Sequence, residues 1–134
     1  MSIKNQIKII PRKLLEDERG SFLKVLRGDE AMLPAHTGEV YLVWAKPNAS
    51  RGGHYHKVAN EWFTLVEGRC RLSLSDPSTD ERFDLTLDSA TPTTVFVPAT
   101  IAHCFYNDSS KQNFLLLAYS SEPYDSADTI AYNC

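Results

Sequence analysis

Hydrophobic and polar side chains alternate with a period of two along much of this chain. In residues 69–75, arginine and serine occupy every second position, with Cys70, Leu72 and Leu74 between them. Residues 83–87 repeat the alternation. Successive side chains of a strand point to opposite faces, so each segment is predicted to be a strand with one apolar face.

Other segments predicted to be strands are rich in β-branched and aromatic residues and are bounded by turn-forming residues. They span residues 21–26, 39–46, 61–67, 94–98, 102–106 and 113–119. Glu67-Gly68 is predicted to close a hairpin between 61–67 and 69–75, and residues 76–80 are predicted to form a turn. Residues 13–16 and 29–33 are predicted to form single helical turns. Many short strands at near-regular spacing predict an all-β sandwich or barrel.

The length of 134 residues predicts one domain spanning residues 1–134. A net charge of −3, with no run of basic residues, gives no reason to expect binding to nucleic acid or to an acidic membrane. The N-terminus does not resemble a signal peptide. No apolar stretch approaches the roughly 18 residues that a membrane span needs.

The cysteines indicate a reducing compartment. Cys70, Cys104 and Cys134 are odd in number, are widely spaced and form no CxxC motif. This pattern predicts reduced thiols in a cytoplasmic protein rather than a disulfide framework. Cys70 and Cys104 lie in apolar runs and are predicted to be core residues.

Candidate chemistry concentrates in residues 51–61, RGGHYHKVANE. His54 and His56 are two residues apart, so on a strand they point to the same face. Glu61 can reach the same point from the next strand, and His103 is a fourth candidate farther along the chain. Such a set predicts a metal site, a general-base site or both. Imidazoles and a carboxylate suit a divalent Zn, Ni, Mn or Fe ion.

Two segments resemble the two metal motifs of the cupin superfamily. They are His54-x-His56-x4-Glu61-x6-Gly68 and Pro98-x-Thr100-x2-His103-x3-Asn107. Thr100 replaces the glycine usual in the second motif, and Asn48 holds a position where glycine is expected upstream of the first. The resemblance implies an all-β, single-domain cupin, a double-stranded β-helix or jelly roll, with the site inside the barrel.

A wider resemblance, from Asp17 to about Asn133, is to enzymes of nucleotide-linked 4-keto sugars. The segments DERGSF (17–22), RGGHY (51–55), VP-x4-H-x-F (97–105) and Y-x4-Y (119–124) are similar, in this order, to dTDP-4-dehydrorhamnose 3,5-epimerases. RGxHYHxxxNExF (51–63) is closer still to the cupin domain of capsular polysaccharide sugar reductases, and sugar 3,4-ketoisomerases have a related stretch.

This resemblance implies a nucleotide-sugar epimerase or ketoisomerase of surface-polysaccharide biosynthesis. Its substrate would be a nucleotide-linked, dTDP-type 4-keto-6-deoxyhexose, and the reaction a proton transfer next to the ketone. His54 would be the base, Tyr119 the acid, and Arg51 would neutralise enolate or phosphate charge. The other implied substrate-binding residues are Arg19, Phe22 and Lys57. Proteins of this shape commonly pair through extended strands, so a homodimer is expected.

The two resemblances conflict at His54. The epimerases have glutamine where this chain has His56, and they work without a metal. A metal bound to His54 would occupy the lone pair that a base needs. The base would then be another group, such as a metal-bound hydroxide, Tyr41 or Tyr119. The epimerases also continue to an aspartate that orients the catalytic histidine, and this chain is predicted to lack that pair.

Two alternatives stay open. One is a metal-dependent cupin of another class, an Fe(II) dioxygenase or a sugar-phosphate isomerase. The other is a non-catalytic sugar-binding cupin. Trp62 and Phe63 are adjacent on one predicted strand, so their side chains point to opposite faces and cannot both line the site under either alternative.

Overall fold

Two five-stranded antiparallel sheets form the body of the protein, as a computed structural model of all residues, Met1 to Cys134, shows. The elements in chain order are α1 (Ile3–Gln6), β1 (Lys8–Pro11), β2 (Leu14–Asp17), β3 (Gly20–Leu23), β4 (Glu39–Ala45), β5 (Ser50–His56), β6 (Glu61–Glu67), β7 (Arg69–Asp76), β8 (Glu81–Asp88), β9 (Thr93–Val97), β10 (Ala102–Tyr106), β11 (Phe114–Ser120), a 3-10 turn (Ser126–Asp128) and β12 (Thr129–Ala131).

Strand order in the first sheet is β1-β9-β6-β11-β4, and in the second it is β12-β5-β10-β7-β8. The β2–β3 hairpin is a separate two-stranded sheet. Neighbouring strands are mostly distant in sequence, as in a double-stranded β-helix. The prediction of an all-β cupin jelly roll is therefore confirmed. The longest helix, α1, has four residues, so none of the helices can span a membrane.

The core lies between the two sheets. Phe63 and Leu65 face inward from β6, and Leu72 and Leu74 face inward from β7; none of the four is more than 2% exposed. Each such side chain stabilises the fold by about 1.5–3 kcal/mol through its burial. This packing holds the sheets together, and the site lies at one end of the same interior.

The predicted hairpin at Glu67-Gly68 is wrong. β6 pairs with β9 and β11, whereas β7 pairs with β8 and β10, so the chain crosses between sheets at this point. Gly68 has a φ of +88°, and a Cβ there would lie 2.9 Å from the carbonyl oxygen of Asn113. The glycine that suggested a tight turn instead permits a sharp crossing beside another strand.

Local patterns misplaced or missed several elements. The helical turn predicted for residues 13–16 is wrong because this segment is β2, which pairs with β3, and residues 29–33 contain turns but no helix. The elements α1, β1 and β12 and the full extent of β5 were not predicted. In β5, Gly52 has a φ of +86°, and a Cβ there would lie 2.6 Å from the carbonyl oxygen of His103. Glycine thus lets β5 approach β10 closely.

The expectation that all three thiols are reduced is also wrong for this structure. Cys104 and Cys134 form a disulfide with a Cα–Cα distance of 6.3 Å, while Cys70 is free and buried. The wide spacing in sequence hid this pair, because the fold returns the C-terminal segment to β10 by way of β12 and β5.

Candidate metal centre and active site

Three histidines and one glutamate converge inside the barrel. His54 and His56 lie on β5, His103 lies opposite His54 on the adjacent β10, and Glu61 reaches them from β6 in the other sheet. One potential ligand atom from each of the four lies within 4.8 Å of those of the others. The structure thus brings together all four residues that the sequence proposed as metal ligands.

Glu61 is the centre of this cluster and is only 2% exposed. Its Oε2 accepts a hydrogen bond from the Tyr41 hydroxyl. Its Oε1 lies 2.8 Å from His56 Nε2 and 3.4 Å from His103 Nε2. Neither contact has hydrogen-bond geometry, so Oε1 is buried with no hydrogen-bond partner. A buried carboxylate oxygen without a donor is costly unless a cation balances it.

Burial and mutual charge set the protonation of the imidazoles. Burial lowers the pKa of His103 to about 4, and burial followed by the charge of His56 lowers the pKa of His54. Both rings are therefore neutral near pH 7, the form that ligates metals. Burial opposes the charged form of His56 as well, but interactions with Glu61 outweigh it, and the pKa of His56 is raised.

Tyr41 also lies at the cluster. Burial, followed by the negative charge of Glu61, raises the pKa of Tyr41 well above its usual value. Its hydroxyl therefore stays protonated near neutrality and donates to Glu61. This arrangement makes Tyr41 a hydrogen-bond donor rather than a base.

Residues near the C-terminus support the loop between β5 and β6. The Asp128 carboxylate accepts hydrogen bonds from the backbone N–H groups of Lys57, Val58 and Ala59 at 2.8–3.1 Å. Its Oδ2 also lies 4.0 Å from His56 Nδ1. Asp128 thus fixes the chain that runs from His56 toward Glu61.

The cluster opens into a cavity of about 300 Å³. Its lining includes His54, His56 and Glu61 of the cluster together with Tyr41, Tyr124 and Ser120, whereas His103 is buried and does not line it. The charged residues that line it are all acidic: Glu39, Glu61, Glu122, Asp125 and Asp128. With no lysine or arginine in the lining, the cavity favours a cation or a neutral, hydroxyl-rich group such as a sugar over a free anion.

Other residues proposed from the sequence lie elsewhere. The Tyr119 ring packs 5.4 Å from that of Trp62 on the outer face of its sheet, because alternation along β11 points Ala118 and Ser120 inward instead. Arg51 is exposed and donates to the Trp44 carbonyl oxygen at 3.1 Å. Neither side chain lines the cavity.

The hairpin residues and Lys57 are also outside the cavity lining. Arg19 pairs with Asp17 at 2.8 Å on the exposed β2–β3 hairpin, and Phe22 on the same hairpin is 60% exposed. Lys57 lines a neighbouring surface depression together with Asp125 and Asp128. Within one chain, these three side chains are therefore separate from the histidine cluster.

Backbone conformation explains why glycine is usual at the two positions where this chain departs from the cupin motifs. Thr100 and Asn48 have φ angles of +74° and +63°. Glycine occupies this left-handed region most readily, and asparagine tolerates it. Asn107, the last residue of the second motif, is buried and donates to the carbonyl oxygens of Ala45, Lys46 and Gln112. Its role is structural.

Sequence reasoning missed two residues of the site. Tyr124 lines the cavity with His54, although the resemblance implied Tyr119, the first tyrosine of the Y-x4-Y segment, as the acid. Asp128 supports the loop after His56, and no local sequence pattern pointed to it. Its position depends on the pairing of β12 with β5.

Comparison with known proteins identifies a matching family and several similar proteins. Residues 15–132 match the family model described as the polysaccharide biosynthesis C-terminal domain. The chain is 29% identical over 124 residues to a TDP-4-oxo-6-deoxy-alpha-D-glucose-3,4-oxoisomerase of Aneurinibacillus thermoaerophilus, covering 92% of this chain and 84% of that protein.

It is 23% identical over 118 residues to a UDP-2-acetamido-2,6-beta-L-arabino-hexul-4-ose reductase of Pseudomonas aeruginosa, covering 88% of this chain but only 30% of the reductase. Among solved structures, a double mutant of a 3'-monoepimerase from Streptomyces bikiniensis, in complex with dTDP, superposes with a TM-score of 0.86. The identity is 19%, over 99% of this chain and 71% of that one, and the two proteins share the fold.

Proposed function

Because the chain belongs to the polysaccharide biosynthesis C-terminal domain family, we propose that it isomerises a nucleotide-linked 4-keto-6-deoxyhexose at a divalent metal centre. The observation that carries this proposal is the convergence of three imidazoles and one carboxylate at a cavity that also holds Tyr41 and Tyr124. The reaction is epimerisation or ketoisomerisation by proton transfer next to the ketone, as part of polysaccharide biosynthesis.

The similar proteins support the choice of substrate class. One is named for its action on a TDP-linked 4-oxo-6-deoxyglucose, and another was solved with dTDP bound. The acidic cavity suits the sugar rather than the diphosphate, because its lining contains no cationic side chain. The nucleotide would therefore extend beyond the cavity mouth, where Lys57 is the nearby cation.

The donor set fits a divalent metal such as Zn, Ni, Mn or Fe. His54, His56, His103 and Glu61 would be its ligands, and Glu61 Oε1, which has no hydrogen-bond partner, is the atom that most needs a cation. When bound, such an ion would act as a Lewis acid that polarises the sugar ketone and makes the adjacent C–H more acidic.

Tyr124, rather than Tyr119, is the proposed proton donor. The monoepimerase double mutant carries one histidine-to-asparagine and one tyrosine-to-phenylalanine substitution, at positions 70 residues apart. His54 and Tyr124 are also 70 residues apart (124 − 54) and line the same cavity. Tyr119 lies on the other face of β11.

His54 has one lone pair available in its neutral form, so it either binds the metal or accepts the substrate proton. Its ring makes no hydrogen bond to the other cluster members, and its pKa is lowered mainly by burial. A neutral His54 suits both roles. The metal affinity of His54→Asn decides between them, because loss of a ligand weakens metal binding whereas loss of a base does not.

The decisive assay is incorporation of solvent deuterium into the product formed from a dTDP-4-keto-6-deoxyhexose, at C3 or C5 for epimerisation and at C4 for 3,4-ketoisomerisation, followed by mass spectrometry, together with metal analysis of the purified protein. His54→Asn should abolish incorporation in either role. No incorporation by metal-loaded wild-type protein with any such sugar would refute the isomerase proposal. Oxygen consumption instead of exchange would identify a dioxygenase.

Two tyrosine variants form a matched pair. Tyr124→Phe should lower the exchange rate by about 10²–10⁴-fold, as expected for loss of a general acid. Tyr119→Phe should leave the rate within about threefold, because its hydroxyl does not line the cavity. The reverse ranking would return the acid role to Tyr119.

We also propose a homodimer. Edge strand β4 exposes Val40, Leu42 and Trp44 on one face at 61%, 46% and 55%. An apolar row on an unpaired sheet edge favours burial against a second copy. Light scattering after size exclusion should give twice the chain mass. Leu42→Lys should yield monomers, whereas Met32→Lys, an exposed site away from this strand, should not.

A dimer would also allow the nucleotide-binding residues proposed from the sequence to reach the nucleotide. Arg19 and Phe22 lie on a hairpin outside the cavity of their own chain, so they would contact the nucleotide from the partner subunit. Mixing Arg19→Ala protein with His54→Asn protein tests this arrangement. Heterodimers should recover one working site if the hairpin acts across the interface, and none if it acts within a chain.

We also propose a cytoplasmic location, in keeping with the proposed nucleotide-sugar substrate. Disulfides are rare in that compartment. The Cys104–Cys134 bond would then be reduced in cells and form on exposure to oxidant. Alkylation of thiols at lysis, followed by mass spectrometry, should label Cys134. Complete protection would argue for an oxidising compartment.

A further inference from the structure

We infer that Thr129 is a positioning residue that holds the proton of His56 on Nδ1 and thereby directs the lone pair of Nε2 toward the metal centre. This inference rests on the proposed metal centre, and it concerns a residue that neither the motifs nor the cavity lining indicates. It assigns a specific task to β12, the last strand of the chain.

The Thr129 hydroxyl contacts two groups. Its Oγ1 donates to the carbonyl oxygen of Asp125 at 3.2 Å and lies 3.4 Å from His56 Nδ1. A threonine hydroxyl has one hydrogen and two lone pairs. With its hydrogen directed to the Asp125 carbonyl oxygen, which can only accept, the hydroxyl offers a lone pair to His56. This arrangement favours the tautomer that carries hydrogen on Nδ1.

The negative charge of Asp128, beside the contact of Thr129 with His56, also favours a proton on His56 Nδ1. Asp128 Oδ2 lies 4.0 Å from His56 Nδ1, too far for a hydrogen bond but close enough to favour a proton there. Three backbone N–H groups hold the Asp128 carboxylate in place. Thr129 is itself paired with His56 in the register of β12 and β5, so the backbone fixes the distance between the two.

The opposite ring nitrogen faces the cluster. His56 Nε2 lies 2.8 Å from Glu61 Oε1 without hydrogen-bond geometry. With the proton retained on Nδ1, Nε2 can give up its own hydrogen when a cation enters between the two groups. Ligating histidines commonly donate their other N–H to such a partner, and loss of the partner typically weakens metal binding about 10–100-fold.

The test compares Thr129→Val, which removes the hydroxyl at similar shape, with Thr129→Ser, which retains it. Zinc affinity is measured by competition with a chromophoric chelator. Valine should weaken zinc binding about 10–100-fold, and serine should restore affinity to within about threefold of wild type. Both variants should keep the wild-type melting temperature within a few degrees, because valine is β-branched like threonine and suits a strand, while serine retains the hydroxyl.

The ring proton itself is read by ¹⁵N NMR at roughly pH 8.5, about two units above the pKa of a free imidazole. In zinc-loaded wild type, Nδ1 of His56 should show the shift of a protonated nitrogen. A Thr129→Val protein that binds zinc within twofold of wild type and keeps this shift overturns the inference. Should wild type bind no zinc, the proposed metal function fails, and the metal-free spectrum decides: an unprotonated Nδ1 refutes the role of Thr129.

Discussion

Replacing Thr100 with glycine should stabilise the protein. Thr100 has a φ of +74°, a region that costs an L-residue about 1–2 kcal/mol and is least tolerable for a β-branched side chain. Glycine removes that strain but makes the unfolded chain more flexible, which costs about 0.5–1 kcal/mol. The net gain in the free energy of unfolding is therefore expected to be about 0.5–1 kcal/mol.

The corresponding change in melting temperature follows from chain length. An unfolding entropy of about 2.1 cal/mol/K per residue gives roughly 280 cal/mol/K for 134 residues, so 1 kcal/mol corresponds to roughly 3.6 °C. Thr100→Gly should thus melt about 2–4 °C higher. The backbone N–H of residue 100 donates to the His56 carbonyl oxygen at 2.6 Å, and glycine retains this bond. Metal affinity should accordingly be unchanged.

Urea unfolding followed by tryptophan fluorescence, with a thermal melt as a second measurement, checks the prediction. Asn48→Gly is the matched control, because Asn48 has a φ of +63° but asparagine tolerates this region. Its gain should be the smaller of the two. A Thr100→Gly protein that is less stable than wild type would show that Thr100 is not strained, and the structural account of the motif departure would fail.

Three further predictions concern stability. The disulfide joins Cys104 to Cys134, which are 30 residues apart, so Cys134→Ser should lower the free energy of unfolding by at most about 3.6 kcal/mol in the chain-entropy model. Reductant should lower the melting temperature of wild type but not of the variant. Leu72→Ala, at a fully buried core position, should cost about 2–5 kcal/mol in urea unfolding, and a loss below 1 kcal/mol would contradict the packing. The hydrogen bond from Arg12 lowers the pKa of Glu30, so ionised Glu30 stabilises the fold above its unfolded pKa of about 4.3, and this stabilisation is lost as pH falls through the folded pKa. Glu30→Gln should therefore be less stable than wild type at neutral pH, and the difference should shrink in acid. A difference that stays constant with pH would show that Glu30 is unpaired.

Strand positions were largely predictable because local side-chain alternation reports directly on a half-buried strand. The segments 61–67 and 102–106 coincide with β6 and β10, and others differ by one to three residues at their ends. Pairing was not predictable in the same way. Gly68 looked like a hairpin turn, yet β6 and β7 belong to different sheets, and only contacts between distant segments decide that.

The candidate metal ligands were also found from spacing, since i and i+2 residues of a strand share a face. The acid was not. Tyr119 and Tyr124 both occur in the late motif, and choosing between them requires knowing which face of β11 is inward and where the chain turns afterwards. Ala118 and Ser120 are buried on the inner side, which leaves Tyr119 outside and Tyr124 at the cavity.

The sequence by itself therefore determined the all-β class, most strand positions and the identity of the four clustered residues His54, His56, Glu61 and His103. Each of these depends on side-chain type and on spacings of a few residues, or on motifs built from them. The tertiary structure alone decided what surrounds the cluster: Tyr124 at the cavity, Thr129 and Asp128 behind His56, and the Cys104–Cys134 bond. These groups meet only because β12 returns to pair with β5, and long-range strand pairing leaves little trace in local sequence.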